Sequence, residues 1–349
     1  MRVLVTGHQG YIGSVMTPIL QANGHEVVGL DTGFFSDCTV APVDPIPSIR
    51  RDLREVIPSD VEGFDAVVHL ASLSNDPLGY LDPELTYQIN FVGSLKLALA
   101  AKDAHVERFL FASSCSLYGT VGELSANETN PLAPITPYAE TKAWFERALM
   151  ALADDDFSPA LLRNATAHGW SPRLRGDLVV HDLLGVAMST GKIVIKSDGT
   201  PWRPLVHVED IAGAFIAALD APRDVIHGEA INVGSDDENY QVRQIAEMVS
   251  EIVDGSTIAY APGGEPDKRD YRVDFTKIGE ILPGFQAKWT LATSLRNLRD
   301  EYRAAGLTHD ILTSSRCTRL RRIQQLQEDG RLASDLTWTA PQHQRTDKA

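Results

Sequence analysis

The chain has 349 residues, 43% hydrophobic and 23% charged, and carries a formal net charge of −15, a balance that suits a soluble globular protein of about two domains. That acidity opposes general binding to nucleic acid or anionic membranes, and an anionic small substrate would need arginines gathered locally. Cys38, Cys115 and Cys317 lie far apart without metal-ligand spacing, so neither a disulfide framework nor a zinc site is supported and reduced thiols are expected.

The first predicted strand, Arg2–Thr6, begins at once, with no basic, apolar and small-residue cleavage pattern before it. No apolar run reaches the roughly 18 residues of a membrane span, and a cytoplasmic protein is expected. The strand runs into Gly7-His8-Gln9-Gly10-Tyr11-Ile12-Gly13. Gly7, Gly10 and Gly13 allow a tight turn and close backbone approach, so that a helix over Tyr11–Gln21 aims its first amides at a pyrophosphate. The spacing is G-x-x-G-x-x-G, and a simple strand-to-helix turn is the alternative. Eighteen residues beyond Gly13, the second predicted strand, Glu26–Asp31, ends on a carboxylate placed to accept hydrogen bonds from the adenosine ribose hydroxyls. Neither Thr32 nor Gly33 is basic, so a 2′-phosphate is expected to meet negative charge with no guanidinium in reach, which favours NAD over NADP. Asp52 and Leu53 are read as an adenine-edge contact, with a surface-turn Asp as the alternative.

Further strands are predicted at Ala66–Leu70, Arg108–Ser113 and Pro159–Arg163, with helices over Leu85–Ala101 and Tyr138–Leu152. This alternation argues for an α/β fold with a Rossmann-type doubly wound parallel sheet. Thr136 followed by Pro137 reads as an N-cap with proline at the first helical position. Tyr138 and Lys142 then share one face, about a turn apart, where an ammonium lowers a phenol's pKa from about 10 toward an acid/base range. Trp144, Leu149 and Leu152 are expected to face the core.

After Asn164 the pattern is broken by Gly169, Pro172, Gly176, Gly191, Gly199, Pro201 and Pro204. This half reads as a smaller lobe, interleaved with the sheet through Ile231-Asn232-Val233-Gly234 and closing over a cofactor at the carboxyl ends of the strands. The expected division is 1–163 for the nucleotide-binding domain, 164–306 for the substrate lobe and 307–349 for an extension. Within that extension Arg316, Arg319, Arg321 and Arg322 precede Ile323, Leu326 and Leu332, predicting an amphipathic helix that faces solvent or a second subunit. The polar residues after Trp338 are expected to be disordered.

Taken together, the glycine turn, Asp31, the Ser113-Ser114-Cys115-Ser116-Leu117-Tyr118-Gly119 segment and Tyr138-x-x-x-Lys142 resemble the extended short-chain dehydrogenase/reductase superfamily, in its nucleotide-sugar epimerase/dehydratase branch. The resemblance covers roughly residues 1–300 and includes His69-Leu70-Ala71-Ser72, Asn90, Arg163 and Arg203-x-x-x-His207-Val208-x-Asp210. It implies that Leu70, Ala71, Ser72 and Asn90 lie beside NAD, that Ser114 hydrogen-bonds the sugar oxygen, that Tyr138 exchanges its proton, and that Lys142 binds the nicotinamide ribose. Arg203 and Arg269 resemble the arginines that clamp the substrate diphosphate, for which a planar guanidinium fork is suited; Ser116 and Asn164 would also meet the substrate, and Arg175 is a further candidate.

Departures from the family narrow the reaction. Sugar 4,6-dehydratases of this superfamily typically carry Asp-Glu directly after the catalytic Ser or Thr, and decarboxylating relatives a Glu at the second of those positions; here they are Cys115 and Ser116. Cys115 is also one residue out of register with the cysteine of epimerases acting at carbons 3 and 5, and is read as a packed thiol. Thr166 stands where many relatives have an Asn, and Asn164 is the expected substitute. The reading is an NAD-dependent nucleotide-sugar epimerase at carbon 4, acting on a nucleotide-diphosphate sugar as a homodimer. A nucleotide-4-ketosugar reductase or dehydrogenase shares every residue named, and a catalytically idle NAD-binding module is the rival from another class.

Overall fold

The computed structural model of the chain describes residues 1–74, 79–80, 82–262 and 269–340. Its first strands are β1 (Arg2–Thr6), β2 (Glu26–Asp31), β3 (Ser48–Arg50), β4 (Ala66–His69), β5 (Arg108–Ser114), β6 (Thr120–Ala126) and β7 (Ser158–Asn164). The second half adds β8 (Thr166–His168), β9 (Lys192–Ile195), β10 (Trp202–His207), β11 (Ala230–Val233), β12 (Asn239–Gln241), β13 (Thr257–Tyr260) and β14 (Asp270–Val273). Seven of these form the main sheet in the order β11-β7-β5-β4-β1-β2-β3, with every pairing parallel.

Helices cover both faces of this sheet, which is why its central strands are continuous apolar runs: Leu4, Val67, Phe109 and Leu110 are fully buried. Strand order reverses between β1 and β4, so the glycine turn after β1 and the 70–74 segment after β4 face each other across a crevice. The parallel β5–β7 register sets Ser114 opposite Asn164 at the same edge. Thr136 caps the Pro137–Met150 helix by accepting from the Ala139 amide at 3.2 Å, and Tyr138 and Lys142 enter from its first turns.

Trp144 departs from expectation. It is 41% exposed, because the buried face of the helix runs through Lys142, Phe145 and Leu149 and turns Trp144 about 100° away. There it packs against Tyr87 and Phe91, with ring centroids 5.5 and 6.2 Å away. The helix predicted over Leu85–Ala101 is divided into Pro83–Tyr87, a wider π turn at Gln88–Gly93 and Ser94–Asp103. Asn90 sits in that π turn.

The second half builds its own core around Leu184, Ile193, Leu205, Val249 and Leu295, yet returns to the sheet through β11 and through the Val208–Asp220 helix, whose Ile211 and Phe215 join the first core. The helix expected in the tail forms over Arg319–Glu328, but neither solvent nor a second subunit takes its apolar face. Ile323 and Leu326 are fully buried with Phe34, Leu73 and Ile89 of the sheet domain. Arg319 and Arg322 are buried as well, at 2% and 8% exposure. Of the tail expected to be disordered, residues 341–349 lie outside the described residues. Among the described residues no helix is long and apolar enough to cross a membrane.

Candidate active site

A cavity of about 830 Å³ opens at the carboxyl edge of the sheet, between the two halves. Gly7, Gly10, Tyr11, Ile12 and Gly13 form its floor. Gly7 has φ +73°, and a β-carbon there would stand 2.8 Å from the Ala71 amide nitrogen; one on Gly13 would stand 2.4 Å from the Gly7 carbonyl oxygen. These positions therefore keep the turn flat enough for a large ligand to lie on its backbone amides.

Asp31 is fixed from two sides, accepting from the Gln9 amide at 3.1 Å and the Gly33 amide at 2.8 Å, and lines the cavity beyond the turn. The expectation that no guanidinium comes within reach is corrected here. The β2–β3 register pairs Asp31 with Arg50, whose Nε donates to the Thr32 carbonyl at 3.2 Å. Arg51 itself lines the cavity. A strand pairing brings in these cations, and adjacency in sequence does not reveal it. Asp52 and Leu53 line the same end, with the Asp52 carboxylate held by Arg54 at 2.7 and 3.1 Å.

Across the crevice, Leu70, Ala71 and Ser72 form the facing wall. Asn90 stands behind it and does not line the cavity: its amide accepts from the Leu73 amide at 2.7 Å and donates to the Leu73 carbonyl at 3.1 Å. Its place is that of a strut for the wall, and direct contact with a ligand is not what the structure assigns it.

At the inner end Ser114, Ser116, Tyr138, Lys142 and Asn164 line one region. Ser114 ends β5 and its hydroxyl accepts from the Ser116 amide at 3.1 Å, opening a short 3-10 turn. Buried polar atoms without protein partners, Ser116 Oγ and Asn164 Oδ1, remain available here, as sites for polar ligand groups do. Cys115 turns away, its thiol donating to the Arg163 carbonyl at 3.1 Å, and burial pushes its pKa well up. It is a packed thiol.

Lys142 is 3% exposed; its ammonium donates to the Ala112 carbonyl at 2.8 Å and lies 5.7 Å from the Tyr138 ring centroid. Burial pushes its pKa down to about 7, against a smaller opposing effect of Glu146. The folded chain therefore sheds at about pH 7 a proton that the unfolded chain holds to about pH 10.4. Stability should climb with pH across that window, and the desolvation penalty should be complete below it. Lys142→Met is accordingly expected to unfold at higher urea than the parent at pH 7, by roughly 2–4 kcal/mol, with the gap closing toward pH 10. Parallel pH profiles for the two proteins would show that the ammonium is not desolvated.

Glu146, one further turn along the helix, was not singled out from sequence. It is 3% exposed and accepts from Arg163 Nε and Nη2 at 3.0 and 2.7 Å and from the Ser113 hydroxyl at 2.5 Å. Its four-residue offset from Lys142 was the available signal. The network bolts the helix carrying Tyr138 to β5 and β7.

On the opposite lobe Arg203, at 8% exposure, donates to the backbone carbonyl of Arg269, and both side chains reach the cavity. In all, Arg51, Lys142, Arg175, Lys196, Arg203, Arg269 and Arg319 line it against Asp31, Asp52, Asp177 and Asp182. A chain of net charge −15 thus concentrates cations where an anionic ligand would lie. Arg319 comes from the extension, and its place in the lining is not legible in the sequence because nothing local marks it.

Residues 3–234 match the model of the NAD dependent epimerase/dehydratase family. The UDP-glucose 4-epimerase of Lactobacillus helveticus is 31% identical over 81% of this chain and 91% of its own length. Among solved structures, MoeE5 in complex with UDP-glucose and NAD is 28% identical with a TM-score of 0.75, covering 88% of this chain and 100% of its own. The UDP-glucose 4-epimerase of Thermus thermophilus, in complex with NAD, is also 28% identical, with a TM-score of 0.73 over 87% of this chain and 100% of its own.

Proposed function

Because the chain belongs to the NAD-dependent epimerase/dehydratase family, we propose that it is an NAD-dependent nucleotide-sugar epimerase that inverts carbon 4 of the hexose through a transient keto-sugar. NAD suits the glycine turn, whose floor admits no β-carbon, and Asp31 at its adenosine end; when bound it accepts hydride from the sugar carbon and returns it. In this reading Tyr138 takes the proton of the sugar hydroxyl and gives it back, with Ser114 hydrogen-bonded to the same oxygen. Lys142 holds the nicotinamide ribose beside the phenol. Arg203 and Arg269 hold the substrate diphosphate while Asn164 and Ser116 offer their unpartnered atoms to the substrate. Positioning supplies most of the rate gain, and proton transfer adds roughly 10²–10⁴.

The observation that carries epimerisation over loss of water is the state of the cavity's carboxylates. Asp52, Asp177 and Asp182 are paired with Arg54, Arg175 and Lys196, and Asp31 accepts from two backbone amides. Beside Ser114, the described residues that line the cavity offer a hydroxyl at Ser116 and no acid to protonate a departing hydroxyl. UDP-glucose is the first candidate substrate, from the names of the relatives.

Incubation with UDP-glucose in deuterated water is expected to yield UDP-galactose of unchanged mass without added reductant. Deuterium at carbon 3 or 5 would indicate inversion through an enediol, a keto-deoxy product a dehydratase, and turnover only with added NADH a reductase; each would overturn the proposal. The same reading includes a cytoplasmic location, which the three free, buried cysteines support. It also includes a homodimer, supported by Val92, Leu99 and Trp144, which stay 36%, 43% and 41% exposed on the helices beside the site; light scattering that gave a monomer mass would remove it.

A further inference from the structure

The C-terminal extension returns across the sheet domain and closes on the residues that follow Asp31. Trp338 donates its indole N–H to the Thr32 carbonyl at 2.9 Å, with its ring 5.7 Å from Phe34 and 4.8 Å beneath the Arg50 guanidinium. Arg322 donates to the Phe34 carbonyl at 3.3 Å and pairs with Asp37 at 2.8 Å. These contacts hold the extension against the adenosine end of the cavity.

Arg319 goes further, because its side chain forms part of the cavity wall. The residue is 2% exposed. Its guanidinium lies 4.7 Å over the Phe35 ring, and Nη2 donates to the Arg173 carbonyl at 2.9 Å. Nη1 has no hydrogen-bond partner, and among the described residues no carboxylate forms an ion pair with Arg319. Burial pushes its pKa down to about 10, which leaves it charged at neutral pH.

Its neighbourhood adds positive charge. Arg173 and Arg175 lie in the same region, and Asp177 is held in two-point fashion by Arg175 at 3.0 and 2.9 Å. Arg175 also donates to the carbonyl and hydroxyl of Ser74, both at 3.3 Å, which places the group beside the wall facing the glycine turn. Asp177 acts on Arg319 only from a distance, and a buried guanidinium with a spare donor and no ion pair among the described residues is costly unless an anion completes the site; planar forks match phosphate oxygens.

We propose that Arg319 is a ligand for a diphosphate ester, that of the bound dinucleotide, and that the C-terminal extension thereby forms a wall of the cofactor site. Its location by the Phe34–Phe35 loop and Arg173 favours the dinucleotide over the substrate, whose expected clamps Arg203 and Arg269 come from the other lobe. The inference rests on the NAD-binding part of the reading above and is independent of the epimerase step.

The test uses the full chain stripped of nucleotide, with Arg319→Gln and Arg319→Lys. Affinities for NAD and UDP are measured by calorimetry, and that for adenosine by ligand-observed NMR. Arg319→Gln is expected to weaken NAD by at least about tenfold and to leave adenosine unchanged, with Arg319→Lys intermediate because it keeps the charge and loses the fork. If Arg319→Gln does not fold, a several-fold loss of NAD affinity in Arg319→Lys, with adenosine unchanged, carries the proposal. Unchanged NAD affinity in either folded variant overturns it, and so does an equal loss for adenosine, which would mean that Arg319 only shapes the loop. Weakened UDP with unchanged NAD would move the ligand to the substrate's diphosphate and overturn the cofactor assignment. A parent that binds NAD in an Arg319-dependent way but does not epimerise would remove the epimerase reading alone.

Discussion

Tyr138→Phe is expected to keep the fold and the affinity for NAD while losing turnover by roughly 10²–10⁴. The substitution removes one oxygen from a half-buried side chain in the first turn of a helix capped by Thr136, so packing and the course of the Pro137–Met150 helix are retained. What disappears is the transferable proton that the proposed cycle places on this phenol. Single-turnover measurement with UDP-glucose separates this loss from slow product release, because a chemical defect slows both steady-state and single-turnover rates. A variant within a few-fold of the parent in both would reject Tyr138 as the acid/base while leaving the NAD site intact.

Glu146→Gln is expected to be the most destabilising single change near the site, costing about 3–5 kcal/mol. In the parent, Glu146 meets Arg163 through two oxygens at 3.0 and 2.7 Å and also accepts from Ser113. An amide of the same shape keeps the packing but leaves the buried Arg163 guanidinium, 6% exposed, without its compensating charge. Urea unfolding followed by circular dichroism measures the loss. A double variant with apolar residues at both positions, Glu146→Leu with Arg163→Met, should recover a large part of it, because replacing both partners removes the desolvation cost together with the attraction. If Glu146→Gln proved neutral, or if the double variant were worse than the single, the pair would not be the bolt that holds the helix carrying Tyr138 to β5 and β7.

The two predictions differ in how far the sequence alone reveals them. Tyr138 and Lys142 were legible because a four-residue offset after a Thr-Pro cap is a local pattern, and a helix converts local spacing directly into a shared face. The glycine turn and Asp31 were legible for the same reason, each lying at a strand end that alternation had located. Hydrophobicity read without helical phase sends Trp144 to the core, but two residues beyond Lys142 it leaves the buried face and joins Tyr87 and Phe91. Glu146 carried a faint signal in its spacing from Lys142. Its partner Arg163 lies seventeen residues away on another element, and no local rule joins them.

Sequence by itself determined the class of the sheet, the glycine turn and the Tyr138–Lys142 face, since these depend on periodicity and on residue types within a few positions of one another. The family resemblance named Lys142, Arg175, Arg203 and Arg269, but only the tertiary structure decided how the cations are brought together and that Arg51, Lys196 and Arg319 join them. Arg50 meets Asp31 through a strand pairing, and Arg203 meets the Arg269 backbone where β10 lies beside β14. Arg319 reaches the cavity across almost the whole length of the chain, because burying Ile323 and Leu326 against Phe34 and Ile89 pulls the extension onto the sheet domain. Hydrophobic burial is non-directional and independent of sequence distance, so it places a residue wherever the apolar face finds cover, and that position cannot be read from neighbours in the chain.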